Sequence, residues 1–271
     1  MNRRRLARMV LGVVAVVVVG WWFVLRSDAP PAPDLASAVE TASVAQTGST
    51  GATTAAPASS TATSTTAPAY DATTSTTSAA STTALPVVGP AGTWAVDTSI
   101  GSFSDFTSTW VGYRVEEVLG NGIGSNTAVG RTPLVAGSVE LSGDALLAVE
   151  VRADLRGLRS DKVYRDGRVG SALHTDDHPT ATFTLVGPFA LGDLDGDGVS
   201  VEAVVAGTVT INGMAGPVEV TMAATLVGDV VTVVGSFPIV FSDHAVEAPG
   251  ASIVVSVEDH GIVEFQLFLT R

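Results

Sequence analysis

The sequence predicts an all-β domain of at least eight antiparallel strands with one short helix, preceded by a single transmembrane helix and a disordered linker. Three observations carry this expectation. The chain changes composition twice: residues 1–26 are basic then apolar, residues 27–91 are mostly Ala, Ser, Thr and Pro, and residues 92–271 are mixed. Within the last block apolar residues recur at every second position, the period of a half-buried strand. One stretch, residues 154–183, breaks that alternation.

Residues 9–25 read MVLGVVAVVVVGWWFVL, with no charge, and Arg3, Arg4, Arg5 and Arg8 precede them. As a helix this run reaches about 25 Å, near the lower limit for crossing a bilayer core. The Arg cluster favours a cytoplasmic N-terminus, so the rest of the chain is expected outside the membrane. Trp21 and Trp22 then fall at the outer interface, where aromatic rings are favoured. The competing reading is a cleavable signal peptide, with Ala36-Ser37-Ala38 as the small-residue site. That site lies well past the apolar run, with Arg26 and Asp28 between, so a retained anchor is the expectation. Both readings export the domain, and the first makes it a single-pass cell-membrane protein.

The linker holds runs such as TATSTT at 61–66 and TTSTT at 73–77, with almost nothing large and apolar. Such a segment cannot offset the entropy of folding. It reads as a flexible tether or, if O-glycosylated, as a stalk. Its ends would lie on the order of 45 Å apart as a random coil.

In the last block, residues 110–118 place Val111, Tyr113 and Val115 on one face and Arg114 and Glu116 on the other. Residues 134–141, 146–155 and 263–269 alternate in the same way. Further strands fit residues 181–186, 200–211, 217–227 and 230–242. Ser142-Gly143-Asp144 and Gly228-Asp229 mark hairpins. Eight antiparallel strands can close into a barrel, which removes exposed edges and leaves an interior for side chains or one small ligand.

The stretch at 154–183 carries Arg156, Arg159, Lys162, Arg165 and Arg168 at three-residue spacing. Ser160 and Asp161 suggest a helix start, and Gly167 and Gly170 limit it to two or three turns. The basic face could meet an anionic head group; the plainer reading pairs it with Asp154, Asp161 and Asp166.

Charge and composition exclude several functions. The net charge of −13 argues against nucleic acid as a partner. The absence of Cys rules out disulfides and thiolate metal sites. Asp193, Asp195 and Asp197 with Gly198 resemble the first half of a calcium loop. Val204 stands where the bidentate Glu is needed, so an acidic connection is the simpler reading. His174, Asp176, Asp177 and His178 could ligate a metal but read more simply as a solvated turn before Pro179. There is no nucleophile elbow, phosphate loop or HExxH, and neither an enzyme nor a bound cofactor is expected.

Five segments follow one another in a recognisable order: Trp94-Ala95-Val96-Asp97, Gly137 with Val139, Leu158-Arg159-Ser160-Asp161 with Arg165-Asp166, the strand HPTATF at 178–183, and the hairpin GTVTINGM at 207–214 with Pro217-Val218. In that order they resemble the opening strand, a following strand, the central segment, a later strand and a hairpin of the YceI-like family of lipocalin-like, polyisoprenoid-binding domains. The resemblance implies an extended eight-stranded antiparallel barrel around a long apolar cavity that holds an isoprenoid lipid or quinone. It implies ligand contacts from Val111, Tyr113, Val115, Val149, Val151, Phe183, Leu185, Val220, Met222, Phe265 and Leu267. Arg165 and Asp166 would orient the head group at the mouth. Two other readings stand beside this one: a filled-core interaction domain on a stalk without a small ligand, and a calcium-dependent module using the Asp193–Asp197 loop. Periodicity alone does not separate a hollow barrel from a filled one, although inward positions rich in Val, Ala and Gly point to an underfilled interior.

Overall fold

A computed structural model of the protein describes residues 29–49, 90–120, 124–192, 198–248 and 254–271. The apolar stretch at 9–25, the runs at 61–66 and 73–77, and Asp193–Asp197 lie outside the described residues. Among the described residues no helix is long and apolar enough to cross a membrane.

The body is a closed antiparallel barrel. Its strands are β1 (Gly92–Asp97), β4 (Val135–Leu141), β5 (Ala145–Asp154), β7 (Thr180–Leu185), β9 (Ser200–Ile211), β10 (Met214–Val227), β11 (Val230–Val240) and β13 (His260–Thr270). They pair in that order, and β13 returns to β1 through Ala95–Thr270 to close the ring of eight. β2 (Trp110–Leu119) continues the place of β1 along β13, and β3 (Gly124–Thr132) pairs β2. The short β6 (Arg159–Ser160) pairs β3, β8 (Phe189–Ala190) pairs β5, and β12 (Val254–Val257) pairs β2. The expected hairpins at 142–144 and 228–229 join β4 to β5 and β10 to β11. A third, Asn212-Gly213, joins β9 to β10 with both residues at positive φ, 51° and 73°. Asn followed by Gly suits this, because each tolerates the left-handed region that a two-residue hairpin turn needs.

Two parts of the sequence expectation need correction. The first is the linker. Residues Leu35–Ser49 form an α-helix, α1, so the domain has two helices and the segment 27–91 is not disordered throughout. The Asp34 carboxylate accepts from the Ser37 N–H at 2.9 Å at its start, as a helix N-terminus requires. Leu35, Ala38, Ala42 and Ala45 form one stripe, which packs on Ile100, Val230, Val234 and Phe268. Small Ala side chains let the helix lie close to the sheet, and Ala38 and Ala42 are completely covered. Mean apolarity hides such a stripe, because it consists of alanines among polar residues.

The second is the other helix. α2 spans Val163–Ala172, two residues later than Ser160 and Asp161 suggest. Ser160 does not cap it. Instead Asp166 in the first turn reaches back to the Ser160 N–H and hydroxyl, at 2.8 and 2.6 Å. The cationic face is largely paired: Arg156 meets Asp154 at 2.6 Å, Lys162 meets Asp161 at 3.3 Å, and Arg165 meets both Asp161 and Glu117. β3, reading GSNTAVGRT, escapes the alternation rule because its apolar positions are held by Gly, Ala and Thr.

Segment 29–34 lies on the outside of β2 and β3. The Pro30 carbonyl accepts from Arg114 at 2.7 Å, and the Pro31 carbonyl from Arg131 at 2.5 Å. Arg131 is buried, stacked on Trp110 at 3.8 Å and Phe106 at 4.7 Å, with Glu264 at 3.8 Å. Burial pushes its guanidinium down to about 10, Glu264 pushes it back up, and it stays charged at neutral pH. Arg131→Ala is expected to destabilise the protein by about 3 kcal/mol, since it strips a buried acid of one partner. Chemical denaturation checks this, and a loss below ~1 kcal/mol would show that Arg114 alone satisfies Glu264.

Candidate functional site

Alternation along each strand sends one set of residues into the barrel. In β9 it is Val201, Val205, Val209 and Ile211; in β10 Val220, Met222 and Ala224; in β13 Val263, Phe265, Leu267 and Leu269. With Val139, Leu141, Leu146, Val149 and Val151 from β4 and β5, they enclose one continuous cavity of ≈ 170 Å³. Among the described residues that line it, Thr182 and Thr225 alone carry a hydroxyl, and none is ionisable. The Thr225 hydroxyl is used within the wall, donating to the Val199 carbonyl at 3.0 Å. An apolar cavity of about 150 Å³ stays dry and accepts apolar guests, because water there would lose its hydrogen bonds.

Two rings shape the lumen by lying against glycines. A Cβ on Gly207 would stand 2.1 Å from the Phe183 ring, and one on Gly235 would stand 2.4 Å from the Phe265 ring. Because these glycines have no Cβ, each ring can pack directly against the backbone of the neighbouring strand.

The two ends differ. At one end Pro90, Leu141, Leu146, Leu226 and Val199 surround the cavity, and Val199 is 41% exposed, so the lining reaches solvent there. The Trp94 indole N–H donates to the Pro90 carbonyl at 2.7 Å and fixes Pro90 at this mouth. At the other end α2 and the turn after it close the barrel. Leu155, Leu158 and Val169 pack there with Tyr113, Leu173 and Ala181. His174 Nδ1 lies 3.1 Å from Asn212 Oδ1, and the Asn212 amide donates to the His244 and Ala245 carbonyls, each at 3.1 Å. These bonds tie the turn after α2 to the β9–β10 hairpin.

Of the residues expected to contact a ligand, Val111, Val149, Val151, Phe183, Val220, Met222, Phe265 and Leu267 line the cavity. Five do not. Tyr113 belongs to the closed end, with its ring over Gly130; burial first, and then Asp166, Asp161 and Glu117 against Arg165, hold its hydroxyl protonated. Val115 packs at Gly261, and Leu185, on the same face of β7 as Phe183, packs against the interior cluster without lining the cavity. Arg165 and Asp166 are at the closed end, not at the mouth. Arg165 is 13% exposed and bonded to Glu117 at 2.9 Å, and Asp166 is bonded to Ser160. Their surroundings give them a structural task, anchoring α2 to β2 and β6.

The sequence reading also passed over Val201, Val205, Val209 and Ile211, though the alternation that selects them is plain in VEAVVAGTVTI. The HTDDH segment forms the turn after α2, and among the described residues no group of His, Asp and Glu is arranged to hold a metal.

Comparison with known proteins gives a family match. A model described as the YceI-like domain matches residues 94–269. A search of curated proteins finds no match. Among solved structures the chain is similar to a polyisoprenoid binding domain from Saccharophagus degradans implicated in plant cell wall breakdown. That likeness has 16% identity and a TM-score of 0.48, and covers 67% of this chain and 99% of the other. It is also similar to BcnA of Burkholderia cenocepacia, at 19% identity and TM-score 0.45, over 59% of this chain and 95% of the other. A Campylobacter jejuni YceI protein matches at 13% identity and TM-score 0.41, over 52% of this chain and 84% of the other.

Proposed function

The chain belongs to the YceI-like domain family, and on that premise we propose that its barrel takes up the tail of an isoprenoid lipid or quinone. The protein would sequester or carry this lipid on the outer side of the cell membrane, tethered by residues 1–26. The reading rests above all on the continuous cavity, whose wall offers apolar carbon and no ionisable group. Such a wall binds by the hydrophobic effect, at about 25 cal/mol per Å² of buried apolar surface. Among the described residues its lining holds no ionisable side chain to move a proton, which supports reading the protein as a binder rather than an enzyme. The uncharged run at 9–25 with Arg on its N-terminal side supports the anchor and the extracytoplasmic placement of the barrel.

The head group would remain at the mouth, near Pro90 and Val199, because burial of a polar group in this wall would leave it without partners. The test is mass spectrometry of an organic extract from residues 29–271, purified without detergent from a native-like host. One isoprenoid or quinone per chain is the expected result. A chain that yields no lipid and takes up none on addition would make the barrel an interaction domain, with the family likeness speaking for the fold alone.

A further inference from the structure

We propose that the α2 end of the barrel is the face that meets the lipid bilayer, with Val163 and Tyr164 as its contact residues. The proposal rests on the anchor reading above and adds to it a distance and an orientation.

The distance comes from where the N-terminal segment docks. A linker of residues 27–91 would hold the barrel well away from the membrane. Yet Pro30 and Pro31 are already bonded to the barrel wall, and α1 is packed against it. Only Arg26, Ser27 and Asp28 separate Leu25 from Ala29. The four backbone steps from Leu25 to Ala29 span at most roughly 14 Å. The barrel therefore sits against the bilayer.

The orientation comes from the path of the same segment. In the last turns of α1, the Gln46 amide donates to the Val227 carbonyl at the mouth end. Going back along the chain, Pro31 meets Arg131, whose residue pairs with Gly112. Pro30 then meets Arg114, two residues further along β2 in the direction of Glu117, the partner of α2's Arg165. The segment thus runs along the barrel from the mouth toward the α2 end, which puts Ala29 on the α2 side.

Surface chemistry agrees with that direction. Val163 and Tyr164 stand side by side in the first turn of α2, 86% and 60% exposed. The Arg168 guanidinium lies 5.9 Å above the Tyr164 ring, and Lys162 is half exposed beside them. A Tyr with a neighbouring apolar side chain and long basic side chains suits the interface, where rings bury carbon and cations reach the head groups. Five of the nine Lys and Arg after residue 91 lie within 156–168, although the turn after α2 also carries the exposed Asp176 and Asp177, and the hairpin tips at the mouth carry Asp144 and Asp229 without a Lys or Arg. Asp154 and Asp161 neutralise part of the α2 charge, so apolar contact sets the position and lipid charge tunes it.

The chain contains no Cys, so one can be placed without background. The full chain, as Tyr164→Cys or as Asp229→Cys, is labelled with a fluorophore. It is then reconstituted into vesicles of equal parts phosphatidylcholine and phosphatidylglycerol containing spin-labelled phosphatidylcholine as quencher. Both positions are exposed, so neither substitution threatens the fold. Quenching several-fold stronger at position 164 is the expected result. Equal or reversed quenching in protein that still floats with the vesicles overturns the orientation and leaves the anchor standing. Protein that does not float overturns the anchor, and the proposal with it.

Discussion

Val151→Trp is expected to abolish loading of an apolar chain while leaving the barrel folded. Val151 lies on the cavity wall, buried, opposite Gly137 on β4 and Phe183 on β7. An indole there would take up much of the ≈ 170 Å³ lumen. Overpacking a filled core costs about 1–3 kcal/mol. Here the new ring has room to enter, so the cost should fall at the low end and the melting temperature should move by only a few degrees. Extracted lipid per folded chain is the measurement, with a drop of at least about tenfold expected, equivalent to 1.4 kcal/mol or more of lost affinity. Undiminished lipid in a folded variant would mean that the tail lies elsewhere and that this cavity is not the binding site.

Deletion of residues 29–49 is expected to lower the melting temperature by roughly 10 °C or more. α1 covers Phe268, Val230, Val234 and Ile100, of which Phe268 is completely buried, and the preceding segment supplies two carbonyls to Arg114 and Arg131. Re-exposing part of four apolar side chains costs on the order of 4 kcal/mol, before the lost Arg partners are counted. Thermal unfolding followed by circular dichroism reads the effect. An unchanged transition would make α1 an ornament on the barrel and residue 92 the true start of the folded unit. Within the proposed function, the deletion should also free the barrel from its place at the membrane. Lipid content and membrane distance can therefore be separated by comparing the two variants.

The barrel was legible because its pattern is local. Glu150 and Arg152 against Val149 and Val151 show a wet face and a dry face within a few residues, and Glu264 and Gln266 alternate with Phe265 and Leu267 in the same way although Arg114 and the Thr107–Ser108 backbone cover that polar face. The hairpin signals at Gly143 and Gly228 set the antiparallel order, because so short a turn returns the chain beside itself. Even α1 left a mark. In β11, Val230, Val231, Thr232, Val233 and Val234 are all buried, although only every second one faces the lumen. A strand apolar on both faces needs a second covering layer. That mark lies nearly two hundred residues from the Ala stripe that answers it, and pattern reading within a window cannot join the two.

Arg165 and Asp166 show the opposite case. Their types suit a head-group site, and their position in the motif invites that role. Which end of a barrel they occupy, however, depends on where α2 docks. Docking follows from Val169 and Leu173 packing with Leu155 and Tyr113, and from the reach of Arg165 to Glu117, forty-eight positions earlier in the chain.

The sequence by itself determined the class, the strand count and most of the cavity wall, since period-two alternation and turn chemistry act between near neighbours. Only the tertiary structure decided that the barrel is hollow, which end is closed, and that residues 29–49 belong to it. Those outcomes depend on side-chain volumes and ion pairs that meet across the closed ring, where distance along the chain carries no information about distance in space.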